Sequence, residues 1–201
     1  MLDSCYNCIR KHLGTAHAYF QKALAGDGFY FFWFGIGQMI LAEEESRREE
    51  PVISKKILIE RIKMLERFEF YPQELIDAST QLGAAHGYML EAKSNRYPTH
   101  FWYGIGRMTV CENLDRDKFL DIVESIEAER LNMIDNESYW TDFSILIDDI
   151  WVFIKNYDIL NDPDYWTNFD DILAEVADNL PSIPQDKEEI EENTNKENDS
   201  E

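Results

Sequence analysis

The chain has 201 residues, 44% of them hydrophobic, enough to build one good core arranged as one domain or two small ones. Its 40 acidic and 19 basic residues give a formal charge of −21, which excludes the electrostatic footprint of a protein that binds nucleic acid or an anionic membrane and favours a basic partner. Three cysteines, an odd number, do not make a disulfide framework, and neither a signal-peptide pattern nor an apolar run near the roughly 20 residues of a membrane span is present, so a cytoplasmic location is expected.

Taken in order, Cys5, Cys8, Ile9, His12, Leu13, Ala16, Phe20 and Ala23 fall at the spacing of one helical stripe, and Gly26-Asp27-Gly28 stops it. The next segment, 29–45, opens with six aromatics in a row and is apolar on every side, the pattern of a helix enclosed by neighbours. A third, 52–67, starts after Pro51 with Ile53, Ile57, Met64 and Leu65 facing inward. Helices follow near 73–92, 100–113 and 117–133. Residues 139–160 form a further helical segment, Asp162-Pro163-Asp164 breaks it, and 165–169 repeats the Tyr-Trp-Thr-x-Phe of 139–143. From Pro181 the chain is polar, with eight acids and two lysines, and is expected to be disordered.

Residues 13–66 align with 82–135 without a gap, sharing 19 of 54 positions, where unrelated chains share roughly 3. The predicted fold is therefore all-α: a tandem duplication of a three-helix unit (1–70 and 71–138), a C-terminal helical cap (139–180) and a disordered acidic tail (181–201). Gly35 and Gly37, repeated as Gly104 and Gly106, lie about 200° apart on the central helix and predict close helix contacts on both sides.

Several residues invite a chemical role. Cys5, Cys8 and His12 share a helical face and are zinc-ligand types, with Cys111 and His17 available as a fourth ligand. The second unit has Glu74, Asp77 and Gln81 at the equivalent places, and buried cysteines on a core stripe are the alternative. His17 and His86, Tyr19 and Tyr88, Glu43 and Glu112, and Arg61 and Arg130 are kept in both units. They are the candidate binding residues, and a histidine facing a carboxylate could form an acid–base pair. Structural roles compete: Glu43 with Arg47, and Glu112 with Arg116, have the spacing of intrahelical ion pairs. No phosphate loop, dinucleotide fingerprint, di-iron Glu-x2-His or His-Glu-x2-His is present, and no catalytic residue is assigned.

The string Cys-x2-Cys-x-Arg-Lys-His-Leu, the Gly-Ile-Gly-x-Met-x2-Ala-Glu of the first unit and the Tyr-Pro-x-His of the second resemble a group of small uncharacterised helical proteins of bacteriophages. Cys5, Cys8, Lys11, His12, Gly37 and Glu43 match that pattern, as do Tyr97, Pro98 and His100, while Gln38 and Arg107 stand where the group often has histidine. The resemblance implies a phage origin and no particular activity. The expected function is a non-catalytic acidic helical-repeat protein that binds another protein, as a phage accessory factor or an inhibitor of a host enzyme. The alternatives are a small metal-dependent or acid–base enzyme using His17 or His86 with Glu43 or Glu112, and a virion or assembly component.

Overall fold

In the computed structural model the described residues are 2–94, 99–136, 141–151, 172 and 174–176, with side chains from Tyr6 onward. Among them the protein is all-α, with no strand. Seven helices run in order: α1 (Leu2–Ala25), α2 (Tyr30–Ser46), α3 (Pro51–Glu66), α4 (Gln73–Lys93), α5 (Thr99–Cys111), α6 (Arg116–Asp135) and α7 (Phe143–Trp151). Residues 172 and 174–176 are helical as well. The expected disordered tail lies outside the described residues.

Local chemistry sets the ends. Gly26 closes α1 in the left-handed region (φ +83°), where its N–H reaches the Ala23 carbonyl and that of Asp27 reaches Lys22, a Schellman pair that satisfies two orphan carbonyls. Proline occupies the first turn of α3, where its missing N–H is not needed. Asp115 caps α6 by accepting the N–H of Asp117. α5 stops two residues before the sequence expectation, because Glu112, Asn113 and Leu114 turn through successive i to i+3 bonds to Thr109, Val110 and Cys111.

The aromatic helix α2 is the centre of the molecule, buried from Phe32 to Glu43 and packed by α1, α3, α4 and α7. Its glycines work on opposite sides. A Cβ on Gly35 would lie 2.4 Å from the Phe20 ring of α1, and one on Gly37 would lie 2.0 Å from the Gly83 carbonyl oxygen of α4. Gly104 answers Gly35, with Met89 standing where Phe20 stands. Gly106 corrects the expectation: nothing comes within 4 Å of a Cβ there, because no helix among the described residues covers that face of α5.

Other contacts recur at the same offset. Tyr19 meets Phe34 edge-on at 5.6 Å between ring centroids, and Tyr88 meets Tyr103 at 5.6 Å. One continuous core runs through both units into α7. α7 lies on the α2–α4 junction, where Trp151 stacks on Trp33 at 5.4 Å and its indole N–H donates to Ser79. Its apolar stripe of Phe143, Leu146, Ile147 and Ile150 is buried. No helix among the described residues is long and apolar enough to cross a membrane.

Candidate functional site

The acid–arginine pairs hold helices together. Glu43 is buried near the end of α2, where its carboxylate accepts from Arg61 of α3 at 2.8 Å and from Arg47 at 2.9 Å. Its counterpart Glu112 accepts from Arg130 of α6 through two nitrogens. The expected Glu112–Arg116 pair is not made, and the reason is the early end of α5. With Glu112 in a turn, Arg116 starts a new helix and pairs with Glu127 at 3.2 Å. Charged partners removed from water are expensive to separate. Glu43→Gln is therefore expected to lower stability by about 2 kcal/mol, whereas Arg116→Ala, at an exposed pair, changes it by less than about 0.5 kcal/mol. Denaturant unfolding of the two variants checks this.

The two histidines kept in both units diverge in setting. His17 is half-buried on α1 beside Gln21, at 3.3 Å. His86 is buried in α4, flat on Phe34 at 3.7 Å between centroids, with Tyr19 and Phe143 edge-on at 5.9 and 5.8 Å. Burial pushes its imidazole down to about 4. The carboxylate of Glu43 is engaged by Arg47 and Arg61 and that of Glu112 by Arg130, so these recurrent acids and arginines build ion pairs. Tyr19 sits among Phe31, Phe34 and His86, and burial raises its phenol. Tyr88 donates to Glu44 across the two units.

Of the zinc-type set, His12 is buried and bonds Gln38 through Nδ1 at 2.8 Å, while Cys8 is half-buried. The side chain of Cys5 lies outside the described residues, as do Tyr97 and Pro98. Among the described residues no three His, Cys, Asp or Glu side chains form a metal-binding group. Cys111 is buried in the α4–α5 seam, where its thiol donates to the carbonyls of Ala78 and Arg107 and burial pushes its pKa up.

A polar seam that the sequence did not reveal runs between the units. Lys11 of α1 pairs with Glu91 of α4, next to His12 and His100. Burial lowers His12 and His100. Burial also works to raise Glu91, but Lys11, His12 and His100 outweigh it and hold its carboxyl low. Farther along, Arg107 bridges Glu44 and Gln81, the latter at 2.9 Å. The His12–Gln38 and Gln81–Arg107 contacts stand 69 residues apart at both ends. The only signal for them was that offset applied to polar positions.

The second surface feature is a cleft of about 750 Å³ between the start of α4, the first turns of α6 and α7. Leu75, Phe119, Leu120, Ile122 and Ile150 line it, with Asp117, Asp121 and Asp149 around them and Lys118 as its one lysine. α6 kinks there, with Phe119 at a non-helical φ −127° and ψ 30° and its side chain packed against the core. Lys118 is itself held by Asp115 at 3.1 Å. The arrangement is an apolar floor with an acidic rim.

Compared with known proteins, the chain matches no protein family, no curated protein and no solved structure.

Proposed function

We propose that this is a non-catalytic helical interaction protein that binds a basic partner protein through the α4–α6–α7 cleft. The observation that carries the reading is that cleft: apolar side chains supply contact area, while three aspartates select a cationic rim on the partner. The body's negative field, about −15 once the tail's eight acids and two lysines are set aside, adds steering toward a basic surface. On this reading the two units descend from a tandem duplication, and the protein works in the cytoplasm, that of the host if it is phage-encoded, as an accessory factor or as an inhibitor covering a basic site.

Capture from a bacterial lysate with three baits tests it: wild type, a Leu120→Asp variant, and a variant carrying Asp117→Asn, Asp121→Asn and Asp149→Asn. The wild type is expected to retain a basic protein at low salt and release it at high salt, and both variants to lose it. Equal capture by all three would remove the cleft from the function.

One observation favours a small acid–base enzyme instead, the meeting of Lys11, His12, Glu91 and His100 at the unit boundary. On that reading any activity found is abolished by His12→Gln and left intact by Leu120→Asp.

A further inference from the structure

Within the chain, α2 receives α4 at backbone distance. A Cβ on Gly83 would sit 2.0 Å from the Trp33 carbonyl oxygen, matching the clash already noted for Gly37. Beside this crossing His86 lies on Phe34, and the bare Gly87 gives room to Gln38 and Leu41. Shifted by 69 positions, each half of this interface exists again, without its other half among the described residues. On α5, Trp102, Tyr103, Gly106 and Val110 take the places of Trp33, Phe34, Gly37 and Leu41. On α1, Gly14, His17 and Ala18 take those of Gly83, His86 and Gly87.

The two copies of the interface differ in exposure. Trp33, Phe34 and Leu41 are buried, whereas Trp102, Tyr103 and Val110 are 60%, 55% and 48% exposed. Among the described residues a Cβ on Gly14 meets nothing within 4 Å, as at Gly106. A glycine inside a helix weakens it, and among the described residues neither of these two has a neighbour that requires one.

We infer that the α5 face of one copy of this protein receives the α1 face of a second copy, in the geometry by which α2 receives α4. The side chains fit that register. A Cβ at Gly87 would lie 3.2 Å from Leu41; Ala18 carries that Cβ, and its partner Val110 is one methylene shorter than leucine, so the pair fills a similar volume. His17 then lies on Tyr103 as His86 lies on Phe34. The contact joins two different faces, so it is heterologous and adds copies head to tail. It continues an interface already present in the fold and involves no residue of the acidic cleft. Because both copies are strongly acidic, salt screens their repulsion and strengthens this association, the reverse of its effect on a basic partner, so the two proposals fail independently.

Sedimentation of the full chain from micromolar to hundreds of micromolar concentration, at low and high salt, provides the test. The average mass of the wild type is expected to rise with concentration, more steeply at high salt. Gly106→Ala and Gly14→Ala, which add a methyl group in open space and a better helix former, are expected to stay folded with an undiminished melting temperature and to sediment as monomers. Mixed together, each variant retains the face the other has lost, and the mixture is expected to stop at a dimer. A wild type that remains monomeric under all conditions overturns the proposal. So does self-association that both variants retain. Concentration-independent protection of Trp102 from a soluble quencher, which would place the chain's own C-terminal segment on the face, overturns it as well.

Discussion

Gly37→Ala and Gly83→Ala are expected to be the most damaging single-methyl changes in the protein, each lowering stability by about 3 kcal/mol or more. Alanine is ordinarily the better helix residue by about 0.5–1 kcal/mol, so propensity alone predicts the opposite sign. Distance decides. The added carbon at either position would lie 2.0 Å from a carbonyl oxygen of the facing helix, and backbone has no rotamer with which to retreat. The helices must part, and the core between them, with Trp33, Phe34 and His86, loosens along the seam.

Gly35→Ala meets the Phe20 ring at 2.4 Å, a side chain that is fully buried, and is expected to fall between. Gly14→Ala and Gly106→Ala lie in open space and follow propensity. Denaturant unfolding of the five variants at low protein concentration, where self-association does not contribute, checks the order. Equal effects at Gly37 and Gly106 would mean that α2 and α4 do not cross in backbone contact.

The helices of both units were legible because their stops are local. Gly26, Pro51 and Pro72 interrupt the periodicity where α1 ends and where α3 and α4 begin. The all-round apolar α2 announced its own central position. The place of α7 was not legible, since a stripe such as Phe143, Leu146, Ile147 and Ile150 says which side is buried but not against what. Only the three-dimensional meeting of Trp151 with Trp33 and Ser79 assigns it to the α2–α4 junction.

The site residues divide in the same way. Glu43 and Arg61 stood out because both recur, and they do meet. Their recurrence reports a helix-joining ion pair, which repeated packing needs whether or not there is chemistry. His12 with Gln38, and Glu44 with Arg107, join different helices through residues whose types change between the units, so residue identity between the two halves did not single them out. Gly106 carries the opposite lesson. Its recurrence predicted a close contact, and the open face of α5 shows that a repeated residue can be kept where no helix among the described residues meets it.

Acid titration of stability should find His86. The imidazole is enclosed by Phe34, Tyr19 and Phe143, and burial lowers it from the ordinary 6.5 to about 4. Above pH 6.5 the ring is neutral in both folded and unfolded chains and contributes no pH dependence. Between 6.5 and about 4 the unfolded chain takes up a proton that the folded one refuses, so stability falls as pH falls. At 1.36 kcal/mol per pH unit that interval amounts to about 3 kcal/mol, and the loss levels off once the folded ring also titrates. His12, lowered by burial, adds a loss of the same sign. Crowded acids act the other way: burial, reinforced by neighbouring carboxylates, raises Glu45 and Asp148, so protonating them favours the folded state. The raw pH profile of so acidic a chain therefore mixes opposing slopes, and the informative quantity is a difference. His86→Phe keeps a flat ring against Phe34 and removes the titration. Wild-type stability minus that of His86→Phe, measured by denaturant unfolding, is expected to be level above pH 7 and to drop by about 3 kcal/mol on approach to pH 4. A difference that stays level throughout would mean that the ring is solvated, and with it that the Phe34–His86 stack does not seal the α2–α4 seam.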